Sequence, residues 1–458
     1  MRKPHILAIP FPLQSHVIAL MELSQCFIKH GFKVTFVNTE YNHKRVLDSL
    51  ADKDAIGGQI HLVSISDGME PWEDRNDLGK LCNSIRQAMP PNLEELINRI
   101  NMSEEEGMVT CVVADFNFGW ALKVAEKMKV RGAAFSPVSA ATILFCFKIR
   151  SLIDDGIFDS DGTLLKKNQE IQLGASVPAI SPAHFLGTVG DAITQKVVFS
   201  DMVRNSEVHR LTEWILCNST CDLEPAASSM IPQLLPIGPL LASNRLGDSG
   251  GYFWQQDSTS LEWLDQQQPN SVIYVAFGSI TTFHHQTQFH ELALGLELTN
   301  RPFLWVVRPD MMMTGEMADA YPAGFRERVA TRGHLVSWAN QQKVLSHPSI
   351  ACFFSHCGWN STLEGLANGI PFLCWPNGGD QFQNESYICD FWEVGLGLTK
   401  DNGGIITREE IKNKVEQIVS NRNFKSRALE LKELLAKGVG EGGHSSNNFL
   451  KFITWAKE

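Results

Sequence analysis

Through the first half of the chain, short apolar runs rich in branched residues alternate with longer stretches of helical periodicity. "HILAIPF" (5–11) is an apolar run closed by prolines, the pattern of a buried strand. "HVIALMELSQCFIKHG" (16–31) carries apolar positions at helical spacing and ends on Gly31, a helix-stop position. "KVTFVNT", "IHLVSIS", "MVTCVVAD" and "VRGAAFSP" repeat the strand pattern, separated by helical segments such as "GWALKVAEKMK". Strands that are apolar throughout and alternate with helices predict a parallel, doubly wound α/β sheet.

The pattern restarts after residue 240. "LASNRLGDSGG" is polar and rich in Gly and Ser, the composition of a linker. Beyond it stand "SVIYVAFGS", "PFLWVV", "GHLVSW", "IACFFS" and "IPFLCW" as strands, with "TQFHELALGLELTN" and "STLEGLANG" as helices. The tail from "REEIKNKVEQIVS" to "SSNNFLKFITWAKE" is amphipathic helix. The expected architecture is α/β, with two Rossmann-like doubly wound domains facing each other across a cleft. The expected boundaries are 1–242, a linker at 243–256, and 257–440.

Composition narrows the function classes. A chain of 458 residues is too long for one ordinary core. A net charge of −11 offers no general attraction to nucleic acid or to anionic membranes. No run approaches the ~18 apolar residues of a membrane span. The ten cysteines are scattered without a CxxC pair and sit mostly in apolar runs, the usage of reduced, buried thiols, which suggests the cytoplasm. The basic-then-apolar start is broken by Pro10, Pro12 and His16, so it reads as a first strand rather than a signal peptide. The GxGxxG match at 438–443 follows a helical run rather than a strand, and so reads as a helix stop and joint, not a dinucleotide fingerprint.

The chemistry gathers in "SHCGWNSTLEGL" (355–366). A strand ends in a tight turn, and a helix expected to start at Ser361 presents free backbone N–H groups and a positive dipole end, a ready anion site. His356 can add a donor there, or merely bond a carbonyl. Cys357 cannot pair with its neighbour as a nucleophile, because adjacent strand residues face opposite ways, and so it reads as packing. Ser361-x-x-Glu364 fits a capping box, while the Glu364 carboxylate could equally accept ribose hydroxyls.

The 44 residues Trp338–Gln381, "WANQQKVLSHPSIACFFSHCGWNSTLEGLANGIPFLCWPNGGDQ", resemble the signature box of plant secondary-product UDP-glycosyltransferases (family 1), in length, opening Trp, HCGWNS core, Glu and closing Asp-Gln. "FPLQSHV" near the N-terminus and "FGS" at 277–279 extend the likeness over the whole chain. The resemblance implies the GT-B fold, a first domain that binds the acceptor, a second that binds the UDP-sugar, and a last helix, about 441–458, packed back on the first. It implies that Trp338 stacks on uracil and that Gln341 lies by base and ribose. It implies that Glu364 holds the ribose, and that His356, Asn360, Ser361 and Ser279 hold the diphosphate. Trp359, Asp380 and Gln381 would contact the sugar, and the closing Gln goes with UDP-glucose. His16 matches the catalytic base and Asp115 its partner; without the resemblance, Asp115 reads as a helix cap and His16 as a capping or solvated side chain.

The activity implied is inverting transfer of glucose to a hydroxyl of a small lipophilic acceptor such as a phenol, flavonoid or terpenoid. No metal or other cofactor is expected, and the family default is a monomer. Phe11, Phe116, Phe118, Phe145, His184 and Phe185 are acceptor-pocket candidates by position. Two departures stand out: Ser15 replaces the usual Gly, and Asn377-Gly378-Gly379 precedes Asp380 where an aromatic and a small residue are more usual. The Gly-Asp-Gln ending is also similar to that of some C-glycosyltransferases, which leaves attack by an electron-rich ring carbon as an alternative. A UDP-sugar-binding protein that has lost catalysis is a second. His284 and His285 read as a solvated loop.

Overall fold

A computed structural model describes residues 3–49, 60–103, 107–166, 169–181, 184, 190–241, 250–283, 285–312 and 320–458. The chain forms two compact units, Met1–Gln255 with Lys437–Glu458, and Gln256–Ala436. Residues 243–249 of the expected linker, Phe185 and His284 lie outside the described residues. Gly250–Trp254, within the rest of that segment, is packed rather than loose. Gln14 accepts from Phe253 N at 2.7 Å and donates to Gly251 O at 3.3 Å.

The first unit is built on β1 (His5–Ile9), β2 (Lys33–Thr39), β3 (Ile60–Ile65), β4 (Cys111–Asp115), β5 (Arg131–Ser136), β6 (Ile215–Cys217) and β7 (Leu234–Pro236). Their order is β3-β2-β1-β4-β5-β6-β7, and every pairing is parallel. β1 and β4 are buried at every position, which is why they read as continuous apolar runs. The chain leaves β1 toward β2 and β3, then crosses back to add β4 on the other side. The carboxyl ends of β1 and β4 therefore stand side by side with no connection passing between them. That reversal is where open parallel sheets take ligands.

The second unit repeats the device with β8 (Val272–Ala276), β9 (Phe303–Val306), β10 (Gly333–Val336), β11 (Ile350–Ser355), β12 (Phe372–Cys374) and β13 (Gly395–Gly397). The order β10-β9-β8-β11-β12-β13 reverses between β8 and β11. β6, β7 and β13 have three residues each and carry no periodic signal long enough to read in sequence.

The last helix, His444–Lys457, belongs to the first unit. Phe452, Ile453 and Ala456 enter its core, with the Phe452 ring 5.6 Å from that of Phe27. Ser445 donates to Gly238 O at 2.6 Å and Asn448 to Pro236 O at 2.9 Å. Gly443 caps this helix, and a Cβ there would stand 2.2 Å from Lys437 O, so the glycine run at 438–443 is a tight joint between helices. Phe452→Ala is expected to lower the stability of the first unit by about 3–5 kcal/mol. Denaturant unfolding reports this, and an unchanged midpoint would refute the packing role.

Candidate active site

In the first unit the site grows from the turn after β1. The helix Gln14–Lys29 begins there, and His16 lies in its first turn. Asp115 is the last residue of β4, the neighbouring strand. The strand reversal thus brings together two residues far apart in sequence. His16 Nδ1 and Asp115 Oδ2 are 2.7 Å apart, with the carboxylate fully buried and the imidazole 13% exposed. Asp115 Oδ1 accepts from Asn117 N at 2.9 Å and Asn117 Nδ2 at 3.1 Å. An ionised carboxylate can only accept, so in the neutral imidazole the proton sits on Nδ1 and Nε2 is left as the acceptor. Asp115 does not cap the following helix, whose N-cap is Phe118.

Sequence reading missed Gln14, Asn42 and Asn117. Gln14 ties the start of the His16 helix to Gly251 and Phe253. Asn42 donates to Pro12 O at 2.9 Å and fixes the turn. Polar side chains that serve backbone groups across the fold leave no local pattern. Ser15 is exposed and its φ is not positive, so the Cβ that replaces the usual Gly is accommodated.

A cavity of about 390 Å³ lies beyond Phe11 and Asn117; neither His16 nor Asp115 lines it, and Arg86, Lys123, Arg150, Asp201 and Glu207 are among the charged residues that do. Phe11 lines it while packing on the imidazole at 5.5 Å, and Asn117 lines it while holding Asp115. Phe118 and Trp120 continue an aromatic wall, their rings 5.0 Å apart. Phe116 and Phe145 do not line it; Phe116, Phe118 and Phe145 are all buried, at 4%, 2% and 0% exposure. His184 is exposed and is not part of this wall either.

In the second unit the reversal sets the Gly278–Ser279 turn after β8 beside the His356–Gly358 turn after β11. Cys357 adopts φ +64°, a left-handed conformation uncommon for a residue with a side chain. Its amide donates to Ser355 Oγ at 3.1 Å and its carbonyl accepts from Asn384 at 2.9 Å. Burial pushes its thiol pKa up, consistent with packing. The His356 imidazole is held between two glycines: a Cβ at Gly278 or at Gly358 would stand 2.4 Å from Nε2. Burial, and next the positive charge of Arg308, lower the His356 pKa to about 4. The ring is therefore neutral at pH 7, an uncharged donor rather than a cation.

The helix begins at Trp359, two residues earlier than expected, with Gly358 as N-cap and no side-chain cap bond. Ser361 is consequently inside the helix, and the capping box does not form. Glu364 turns instead toward the helix Gln341–Leu345. Gln341 Nε2 donates to Glu364 Oε2 at 2.6 Å and to Ser361 Oγ at 2.8 Å, and Gln342 reaches Oε1 at 3.3 Å. Tyr274 Oη donates to Gln341 Oε1 at 3.2 Å. Gln341, Ser361 and Glu364 are thus one network, with half-buried Trp338 three residues before it and half-buried Asn360 at the helix start. The Trp359 indole is buried beside Tyr387 and Trp392.

Beyond β12, Gln381 Oε1 accepts from Asn377 N at 2.8 Å and Gly378 N at 3.2 Å, closing the loop on itself. Gly379 has φ +61°, which favours glycine, and the space where its Cβ would lie is open. Asn384, unforeseen from sequence, donates to both Asp380 Oδ2 at 3.0 Å and Cys357 O, and so couples this loop to the His356 turn. Among the described residues no cluster of three or more His, Cys, Asp or Glu side chains could hold a metal ion, and no helix is long and apolar enough to cross a membrane.

One buried and one half-buried group of this unit give opposing pH dependences. Unfolded His356 binds a proton near 6.5 and folded His356 near 4, so its contribution rises with pH across that window. Burial, then the Asp390 carboxylate, raise the Glu385 pKa from 4.5 to about 7, so its contribution falls as pH climbs from 4.5 to 7. The two offset between pH 4.5 and 6.5. Glu385→Gln should stabilise the protein at pH 8 and expose a stability that rises from pH 4.5 to 6.5 by roughly 3 kcal/mol at most. Urea titrations at several pH values measure this, and a flat profile in the variant would count against a neutral, buried His356.

Residues 248–437 match the family model described as "UDP-glucoronosyl and UDP-glucosyl transferase". Over 468 aligned residues the chain is 44% identical to UDP-glycosyltransferase 83A1 of Arabidopsis thaliana, covering 100% of this chain and 97% of that one. It is 31% identical to 7-deoxyloganetin glucosyltransferase of Catharanthus roseus, covering 99% and 96%. The crystal structure of Os79 from O. sativa in complex with UDP is similar with a TM-score of 0.81 and 25% identity, covering 98% of this chain and all of Os79.

Proposed function

The chain belongs to the plant family 1 UDP-glycosyltransferases, enzymes of the GT-B fold that pass sugar from a UDP-linked donor to small acceptors, and from that premise we propose that this enzyme transfers glucose, with inversion, to a hydroxyl of a small lipophilic acceptor. The observation that carries the reading is the 2.7 Å bond between His16 and the fully buried Asp115. His16 Nε2 takes the acceptor's hydroxyl proton as the oxygen attacks the anomeric carbon. The bond from that carbon to the diphosphate oxygen breaks, and UDP leaves with the electron pair. Asp115 holds the imidazole in the tautomer that can accept, and its charge stabilises the imidazolium that forms. The Phe11 ring, 5.5 Å from the His16 imidazole, supports an apolar surface for the acceptor beside the base.

Diphosphate would take the N–H groups at the start of the helix Trp359–Ala367, the Asn360 and Ser361 side chains, Ser279 and the neutral His356 donor. The helix dipole there favours negative charge. Glu364, with spare acceptor sites, would take ribose hydroxyls, and Trp338 would stack on the base. Asp380 and Gln381 would meet the sugar. Glucose as the donor is supported by the closing Gln381 and by the glucosyltransferase among the relatives. The open space at Gly379 supports a second reading, transfer to an electron-rich ring carbon of a phenol whose hydroxyl His16 deprotonates.

UDP release from UDP-glucose with a panel of phenols tests the assignment. His16→Ala and Asp115→Ala are expected to lower kcat about 10²–10⁴-fold with UDP affinity unchanged. Equal turnover in wild type and His16→Ala would remove the general base. Acid hydrolysis of the product separates the two readings, since an O-glucoside is cleaved and a C-glucoside survives. A chelator is expected to leave kcat unchanged; loss of activity restored by Mg²⁺ would overturn a diphosphate held by protein groups alone.

A further inference from the structure

Arg308 follows β9 and is 1% exposed, one of the largest fully buried side chains in the protein. A guanidinium cannot shed its charge as a lysine can, so its burial has to be offset by what surrounds it. Its Nη1 donates to Gly278 O, its Nη2 to Thr281 O at 2.8 Å, and its Nε to Asp310 Oδ1 at 2.9 Å. Two of the three acceptors are main-chain carbonyls, which satisfy N–H groups but carry no net charge. The third is a carboxylate 55% exposed, whose counter-charge is screened by water.

The two carbonyls belong to the turn that supports His356. Gly278 has φ +69° and lies against the imidazole so closely that even a methyl group would collide with Nε2. Ser279 lies between the two clamped carbonyls. Arg308 therefore fixes the turn on one side of the imidazole, while Gly358 and the helix start close the other. Its charge is also felt there, as the second cause after burial of the lowered His356 pKa.

We propose that Arg308 is a positioning residue for the donor's diphosphate: it clamps the Gly278–Thr281 turn so that Ser279 and His356 stay in place, and its under-compensated charge adds positive potential behind the imidazole. This rests on the reading of the second unit as the UDP-sugar site. The anion that balances Arg308 is then the ligand itself, and developing charge on the leaving UDP is stabilised without Arg308 touching it.

Calorimetric titration with UDP tests the proposal in the full-length protein. Arg308→Met removes clamp and charge and should weaken UDP binding about tenfold or more. Arg308→Lys keeps the charge but cannot span three acceptors, and should fall between Met and wild type. Asp310→Asn keeps the clamp and removes the counter-charge, and should tighten UDP about two- to threefold. Imidazole NMR titration should move the His356 midpoint up in Arg308→Met and down in Asp310→Asn, a pair of opposite shifts that a purely structural role would not produce. Failure of the wild type to bind UDP would sink the donor-site reading itself. Wild-type binding together with unchanged affinity in Arg308→Met would overturn the proposal. Should Arg308→Met not fold, Asp310→Asn decides: affinity equal to wild type or weaker refutes the charge.

Discussion

The constraint on which everything else depends is the reversal of strand order in each parallel sheet. Parallel neighbours need a crossover, and right-handed crossovers can cover both faces only if the chain starts in the middle and builds outward in two directions. At the starting point two strand ends lie side by side with no connection above them. In the first unit those ends carry the turn to His16 and the terminal Asp115; in the second they carry Gly278–Ser279 and His356. The chemistry sits where the topology leaves an opening.

Each opening is furnished by removing atoms as much as by adding them. Gly278 and Gly358 have no side chain because the His356 ring occupies that volume, and Gly379 leaves space beside Asp380. The polar groups that remain are tied into networks. Asn117 holds Asp115, Asn384 joins the Asp380 loop to Cys357, and Gln341 joins Ser361 to Glu364. Partnered polar groups hold one geometry, while His356 Nδ1 and Asn384 Oδ1 remain buried without a hydrogen-bond partner. Neutral His356 and charged Arg308 fit the same logic: burial discharges the group that can lose its proton and leaves the one that cannot.

The expected GT-B fold agrees with the two parallel sheets and with the solved relative, because apolar runs and helical spacing are written locally. His16 and Asp115 were nameable from matching motifs, yet no spacing between residues 16 and 115 announces a bond. The Ser361-x-x-Glu364 spacing was legible and misleading. It fits a capping box, but the helix starts at Trp359 because Gly358 takes the extended N-cap conformation after the left-handed Cys357. Phe116, Phe118 and Phe145 read as loop aromatics in sequence, and only the fold shows that all three are buried.

By itself the sequence determined the classes of the longer strands and helices, the restart of the pattern after residue 240, and the composition of the donor box, because periodicity and motif spacing act over a few turns of chain. Tertiary structure alone decided that Glu364 answers to Gln341 rather than to its own helix, that His356 is neutral, and that a buried arginine stands behind it. Each of those depends on which distant segments pack together and on how much water they exclude, and neither is recorded in the order of neighbouring residues.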